Sequence, residues 1–473
     1  MVKSGASSGN KGWSRIAPAL NRMFSARPRF STGREFVPYV KHAVARRQVL
    51  LKSAEKYGTP QYALDEDILV QRARLFRDSF RKHVKRSRFL YAFKSNDLPY
   101  MIRKLKSEGF DADVASMFEL MLALKLGFRR IIFTAPVKSA EEIDFAVRNA
   151  DRVVLNVDNL DEIDSIIAAV ARLRPKAKVR ISFRLRPEGK TGWSKFGLSA
   201  AELKRAVKKV LAQSSLVWYG VHFHSSWNST PEAHVANIRM LGSILRSGFR
   251  QSDLFGLGFV DIGGGFLAEG SGTVFSATGK GSLLAAASAA GGSRSALLDR
   301  ICVDDVDGID VFASAICDAF RKHITLPLGR PDIELWAEPG RFISSVPTCI
   351  LFKVVSVRDG KVFVDGGINL VGSASFEYEF FPVVNLSRPL LKMRRSVIYG
   401  PLCDPDDRWG NHCFGRECRK GDVLAVLHQG AYAFSTAWRW QRPVAAYVAF
   451  SGKTIRLVKH EESFSQRYAG CRF

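Results

Sequence analysis

The chain has 473 residues, 46% hydrophobic and 25% charged, with 71 Lys and Arg against 45 Asp and Glu for a formal net charge of +26. That composition excludes a wholly disordered chain, and the length is ample for a large core without disulfide or metal staples. No apolar run approaches the roughly 18–20 residues of a membrane-spanning helix; the longest candidate, 283–290, runs straight into Gly291 and Gly292.

Residues 1–53 hold 11 Lys and Arg against one acid, Glu35, and carry +10 of the total. The first 34 are Ser-rich, acid-free and partly amphipathic through Trp13, Ile16, Leu20, Met23 and Phe24. The segment reads as a disordered basic arm in a cytoplasmic protein, or as the transit peptide of an organellar one. The remaining positive charge is scattered, which makes nucleic acid an unlikely partner and suits an anionic small molecule equally well. Seven cysteines include no CxxC pair, and Cys413 and Cys418 beside His412 are too loosely spaced for zinc, so no metal site is expected and free thiols in a reducing compartment are.

From residue 88 onward, short β-branched and aromatic runs alternate with helical stretches. The predicted strands are Phe89–Phe93, Phe110–Val114, Arg130–Thr134, Val153–Val157, Val179–Leu185, Trp218–Phe223, Phe259–Ile262 and Ile333–Ala337. Predicted helices between them include Met117–Leu126, Ala140–Asn149, Leu160–Leu173, Ala200–Ala212 and Pro231–Leu245. Eight such units over ~250 residues give a TIM-type (β/α)8 barrel, an α/β fold, expected over 54–341. Residues 268–294, nearly all Gly, Ala, Ser and Thr, read as a low-complexity insertion after strand seven. Strands Cys349–Val357, Lys361–Asp365, Asp422–Leu427 and Val444–Phe450 indicate a C-terminal β-domain over 342–473.

Catalytic groups of such barrels gather at the carboxyl ends of the strands. Lys94 ends strand one, His224 strand six, the run Gly263, Gly264, Gly265 strand seven, and Glu338-Pro339-Gly340-Arg341 strand eight. Consecutive glycines expose backbone N–H groups suited to a phosphate, and Arg341 lies where barrels commonly bind one. A lysine closing an apolar strand is desolvated near other cations, which lowers its pKa and suits it to form an imine. Glu338 could keep a pyridine nitrogen protonated and His224 could stack on an aromatic ring, so the parts add up to a site for pyridoxal 5′-phosphate.

With Tyr91-Ala92-Phe93-Lys94-Ser95-Asn96, Asp113-Val114-Ala115-Ser116 with Glu119, Ser194-Lys195-Phe196-Gly197, Gly220-Val221-His222-Phe223-His224, Asp261-Ile262-Gly263-Gly264-Gly265-Phe266, Glu338-Pro339-Gly340-Arg341, Gly400-Pro401-Leu402-Cys403-Asp404 with Asp407, and Gly430-Ala431-Tyr432 in this order, the chain resembles the fold-type III pyridoxal-phosphate decarboxylases. That group contains diaminopimelate, ornithine and biosynthetic arginine decarboxylases, and the resemblance spans about Tyr57 to Phe450. It implies an alanine racemase-like fold and an amino-acid α-decarboxylase working through a Lys94 Schiff base. His224 would stack on the ring and Glu338 pair with its nitrogen, while Gly263 to Gly265, Gly340, Arg341 and Tyr432 would hold the phosphate, with Asp113, Glu119 and Arg184 in support. Cys403, as proton donor, and Asp404 would complete the site of a partner in a homodimer, with Asp407 and Glu377 also on the substrate side. An amino-acid racemase of the same fold type and a non-catalytic regulatory homologue are the alternatives.

Two features depart from that family pattern. Trp227 stands where the family places a small residue, and Asp365 to Ser373 contain no arginine for a distal carboxylate. Glu377 and Glu379 stand about where ornithine decarboxylases hold a distal ammonium. The substrate is accordingly expected to be a diamino acid or a conjugated amino acid.

Overall fold

The computed structural model describes residues 33–186, 195–268, 305–372 and 382–473, together with short strands at 272–273, 302–303 and 379–380. Of the low-complexity insertion 268–294 only Ala268 and the backbone of 272–273 are described, Ser194 and Glu377 lie outside the described residues, and of Glu379 only the backbone is described.

Eight parallel strands close the predicted barrel: β2 Ser87–Ala92, β3 Asp111–Val114, β4 Ile131–Phe133, β5 Val153–Val157, β6 Val179–Arg184, β7 Leu216–His222, β8 Phe259–Asp261 and β11 Glu334–Ala337. Closure comes from β11, which pairs with β8 on one side and β2 on the other. Leu90, Ile132, Val154, Phe259 and Trp336 form a separate cluster, with the Phe259 and Trp336 rings stacked at 3.7 Å and 3°. Gly220 makes room for it, because a Cβ there would come within 2.1 Å of the Phe259 ring.

Helices α3 Glu66–Arg81, α4 Pro99–Ser107, α5 Met117–Lys125, α6 Ala140–Arg148, α7 Leu160–Leu173, α8 Ala200–Leu211, α9 Glu232–Gly248 and α10 Ile309–Phe320 accompany the strands. Several start on short polar side chains that accept the orphan amides of the first turn. Ser139 with Glu142 and Ser199 with Glu202 form reciprocal capping boxes, and Asn159 accepts from the Glu162 N–H.

The nine-stranded second sheet runs β13-β16-β17-β15-β18-β12-β1-β19-β20. Its members are β1 Gln61–Asp65, β12 Thr348–Arg358, β13 Lys361–Val364, β15 Val383–Asn385, β16 Met393–Tyr399, β17 Arg408–Phe414, β18 Val423–Val426, β19 Ala446–Ser451 and β20 Thr454–Lys459. A small sheet joins β9 Gly272–Thr273 to β10 Cys302–Val303 and β14 Glu379–Phe380.

The N-terminal region differs from expectation in two ways. The supposed arm is folded from Arg34 onward, with α1 Val37–Ala45 and α2 Arg47–Tyr57. Phe36, Val40, Ala43, Leu50 and Ala54 make a buried stripe against Leu351, Val384 and Ala425 of the second sheet, a helical period that the surrounding charges conceal. In addition, β1 falls inside the segment assigned to the barrel but is a fully buried strand of the other sheet, antiparallel to β12 and parallel to β19. Among the described residues no helix is long and apolar enough to cross a membrane, and the six described cysteines are free.

Candidate active site

The carboxyl ends of the barrel strands surround a cavity of about 140 Å³ lined by Lys94, His224, Trp227, Glu338, Arg341 and Tyr432, with Gly264, Gly265 and Gly340 in its wall. The second sheet's domain supplies one side. The Tyr432 N–H donates to the Ser95 carbonyl at 2.7 Å, and the Ser435 hydroxyl donates to the Lys94 carbonyl at 2.9 Å.

Lys94 directs Nζ to Asp113 Oδ2 at 3.2 Å, and the other Asp113 oxygen accepts from the Thr134 hydroxyl at 2.5 Å. Burial alone would lower the Lys94 pKa, but the charges of Asp113 and Glu338 outweigh it and raise the pKa above the ordinary lysine value. The expectation of a lowered pKa is thereby corrected. The relevant neighbour is a carboxylate one strand away, not another cation.

Glu338 is 2% exposed, with Oε2 3.4 Å from His222 Nε2. Burial opposes its charge, yet His222, Lys94 and Arg184 hold its pKa below the usual carboxylate range. The Gly264 N–H donates to His224 Nδ1 at 3.1 Å, which puts the ring proton on Nε2, 3.0 Å from the Ser226 hydroxyl. Burial first, then Lys94 and Arg184, drive His224 well below its ordinary pKa, so the ring is neutral at physiological pH.

The glycine run is a matter of space. A Cβ on Gly264 would lie 2.5 Å from the Glu338 carbonyl oxygen, and one on Gly265 1.9 Å from that of Ser225, at a φ of +85°. Asn228 ties the two loops together: its N–H donates to the Gly265 carbonyl at 3.0 Å and its side-chain amide to the Ser225 carbonyl at 3.1 Å. Above them the Arg341 guanidinium lies 4.3 Å from the Trp227 ring centroid and 5.1 Å from that of Tyr432. Both aromatics have positive φ, +59° and +57°, an uncommon conformation for bulky side chains.

Arg184, at the end of β6, is 3.5 Å from Asp158 Oδ1 and 4.2 Å from the Phe196 ring, and burial lowers its pKa. Glu119 accepts the Ala115 N–H at 2.6 Å. Burial, against that hydrogen bond, pushes Glu119 up to about 7 from 4.5. An acid whose folded pKa is raised lends stability that is complete below about 4.5 and lost as pH rises through about 7, up to about 3 kcal/mol here. Urea midpoints at pH 5 and pH 8 are therefore expected to differ less in Glu119→Gln than in the parent chain.

The Cys403 loop stands apart. Cys403 is exposed, and neither it nor Asp404 lines the cavity. Asp404 accepts the Asp406 N–H at 2.8 Å. Asp407, expected on the substrate side, is buried, and its two oxygens accept the Ile368 and Leu402 N–H groups at 2.8 and 2.7 Å. It braces the Gly400 to Cys403 turn instead. Asp407→Ala leaves two buried donors without acceptors and is expected to destabilise by about 2–4 kcal/mol in urea unfolding.

Four residues given no role beforehand belong to this site: His222, Thr134, Asp261 and His234, whose Nε2 is 3.0 Å from the Gly264 carbonyl. His222 and Asp261 were legible in principle. His222 shares a strand face with His224 by the period of two, and Asp261 stands at a strand end. Thr134 likewise closes the predicted strand Arg130–Thr134, whereas His234 carries no such signal.

A family model for the pyridoxal-binding domain of pyridoxal-dependent decarboxylases matches residues 67–290, and one for the C-terminal sheet domain of pyridoxal-dependent decarboxylases matches 262–430. The diaminopimelate decarboxylase of Methanothermobacter thermautotrophicus is 26% identical over 438 residues, 88% of this chain and 92% of the relative. That of Archaeoglobus fulgidus is 28% identical over 430 residues, 86% and 91% of the two chains. Among solved structures, the diaminopimelate decarboxylase of Helicobacter pylori complexed with L-lysine shares the fold at TM-score 0.72 and 24% identity, over 89% of this chain and 98% of that one. The lysine/ornithine decarboxylase of Vibrio vulnificus complexed with putrescine does so at 0.66 and 23%, over 86% and 98%.

Proposed function

The chain belongs to the fold-type III pyridoxal-phosphate-dependent decarboxylases, and from that membership we infer that it removes the α-carboxylate of a diamino acid. The observation that carries this reading is the convergence of Lys94, His224, Glu338, Arg341 and the glycine run on one cavity. Three features fit pyridoxal 5′-phosphate. Glu338 Oε1 is buried without a hydrogen-bond partner, available to a ring N–H. The neutral His224 ring offers a flat face, and the space beside Gly264 and Gly265 is one that a Cβ would fill. When bound, the cofactor supplies an electron sink for the breaking bond.

Each residue then has a task. Lys94 would hold the cofactor through Nζ, and Asp113, 3.2 Å away, would keep that nitrogen in place. Arg341, the Gly265 amide and Tyr432 would hold the phosphate, the Gly263 and Gly264 amides being taken by Asp261 and His224, with Trp227 packed on the guanidinium in place of a small residue. Glu338 keeps the ring nitrogen protonated, and Arg184 offsets the buried negative charge of Asp113 and Glu338. The second amino group of the substrate is inferred from the relatives, which are named for diaminopimelate and for lysine and ornithine.

The proton donor is Cys403 of a second copy, in a homodimer. Cys403 is exposed and outside its own cavity. Apolar Phe118 and Val137, 85% and 76% exposed, stand just beyond the carboxyl ends of β3 and β4, on the rim a partner would cover. Mixing Lys94→Ala with Cys403→Ala chains is expected to restore activity that neither has alone, because a hybrid dimer retains one intact site.

The test of function is CO2 release from carboxyl-labelled diaminopimelate, lysine, ornithine, arginine and carboxylated conjugates. A chain that binds the cofactor yet releases CO2 from none of them would overturn the reading.

A further inference from the structure

Asp261 is completely buried at the end of β8, and its Oδ1 accepts the Gly263 N–H at 2.9 Å. Its register partner on β11 is Trp336, and Glu338 follows two residues on, on the same face. The Glu338 N–H donates to the Gly263 carbonyl at 2.9 Å, so Glu338 and Asp261 stand next to one another on one face of adjacent strands, where Glu338 bears directly on the Asp261 carboxyl. Asp261 Oδ2 and Glu338 Oε1 are both buried, and neither has a partner among the described residues.

Two neighbouring carboxylates out of contact with water cannot both stay ionised, because each would pay the full cost of burial on top of mutual repulsion. We propose that Asp261 and Glu338 share a single proton, carried mainly by Asp261, so that the pair bears one negative charge and the Asp261 O–H holds Glu338 in place. The surroundings decide which carboxyl keeps the charge. Glu338 faces His222 from β7, Lys94 from the segment after β2 and Arg184 from β6. Asp261 faces carboxyl groups, Glu338 and Asp113 of β3. Burial first, then the charge of Glu338, accordingly pushes Asp261 well above the usual carboxylate range, while Glu338 is held below it.

Asp261 is thus a positioning residue that couples the two ends of the cofactor site. One oxygen holds the glycine run and the other side steers the carboxylate meant for the ring nitrogen. This role rests on the cofactor reading above, but the proton itself is a property of the chain alone and is measurable without the cofactor.

The experiment is infrared spectroscopy of the cofactor-free chain in D2O at pH 8, above the range in which Glu119 titrates. The parent chain is expected to show the C=O stretch of an un-ionised carboxyl. Asp261→Asn keeps the acceptor for Gly263 and offers an N–H to Glu338. It is expected to lose that component while retaining the parent circular dichroism. Glu338→Gln, which removes the other half of the pair, is expected to shift or abolish the same component. Absence of an un-ionised carboxyl in the parent at pH 8, or an unchanged band in either folded variant, overturns the proposal. Failure of the chain to bind the cofactor would defeat the functional reading and leave the infrared result standing.

Discussion

Lys94→Ala is expected to lower decarboxylation by at least about 10³-fold, within the range for loss of a positioned reacting group, and to abolish the visible absorbance of the lysine-linked cofactor. Among the described residues lining the cavity Lys94 is the only lysine, so none of them offers a second amine to replace it. Arginine is no substitute, because a guanidinium stays charged and cannot serve as the nucleophile. The fold should tolerate the change. Asp113 loses its cation, but its pKa is already raised, by burial and then by Glu338, and it can take up a proton while keeping the hydrogen bond from Thr134. The thermal midpoint is therefore expected to move by only a few degrees, equivalent to about 1 kcal/mol. A variant retaining more than about a tenth of the parent activity would remove Lys94 from the chemistry, since positioned reacting groups contribute far more than that.

Gly265→Ala should fail differently. The new Cβ would lie 1.9 Å from the Ser225 carbonyl oxygen and 2.8 Å from the Asn228 side-chain amide, at a φ of +85°. Backbone cannot move aside as a flexible side chain can, so strain and overpacking together are expected to cost about 2–5 kcal/mol. The loop after β7 carries His224 and the loop after β8 carries the glycine run proposed to face the phosphate. Displacing one from the other is expected to weaken pyridoxal phosphate binding by about 100-fold, about the effect of losing two or three net hydrogen bonds. Urea unfolding and cofactor titration by fluorescence check the two effects separately. A variant with parent-like stability and affinity would show that these loops are not held as tightly as the geometry requires.

Much of the barrel can be read from the chain because each strand is a short apolar run between amphipathic helices. Val153–Val157 has the predicted limits, and β4 is shorter by one residue at each end. The strand β1 escapes such reading. Gln61-Tyr62-Ala63-Leu64-Asp65 has no β-branched residue, and only its tertiary neighbours make it a strand.

In the active site, sequence position identifies groups at strand ends but not what faces them. The contact of His222 with Glu338 spans 116 positions, and that of Lys94 with Asp113 crosses to the neighbouring strand. The direction of the Lys94 pKa and the bracing role of Asp407 both depend on such contacts. A motif names the residue, while the charge it carries is set by a partner that the motif does not contain.

The place of β1 also bears on how the protein is made. Its neighbours in the sheet begin at Thr348 and Ala446, so during synthesis this strand emerges almost 300 residues before its first partner and nearly 400 before its second. The barrel lies wholly between them and can close on the ribosome while β1 waits. Until the last strands appear, this five-residue strand, with Tyr62, Ala63 and Leu64 at its centre, offers unpaired edges on both sides. Messages cut short beyond residue 344 would thus release a closed barrel with a sticky leading strand, a product for the cell's quality control to recognise rather than a smaller working enzyme.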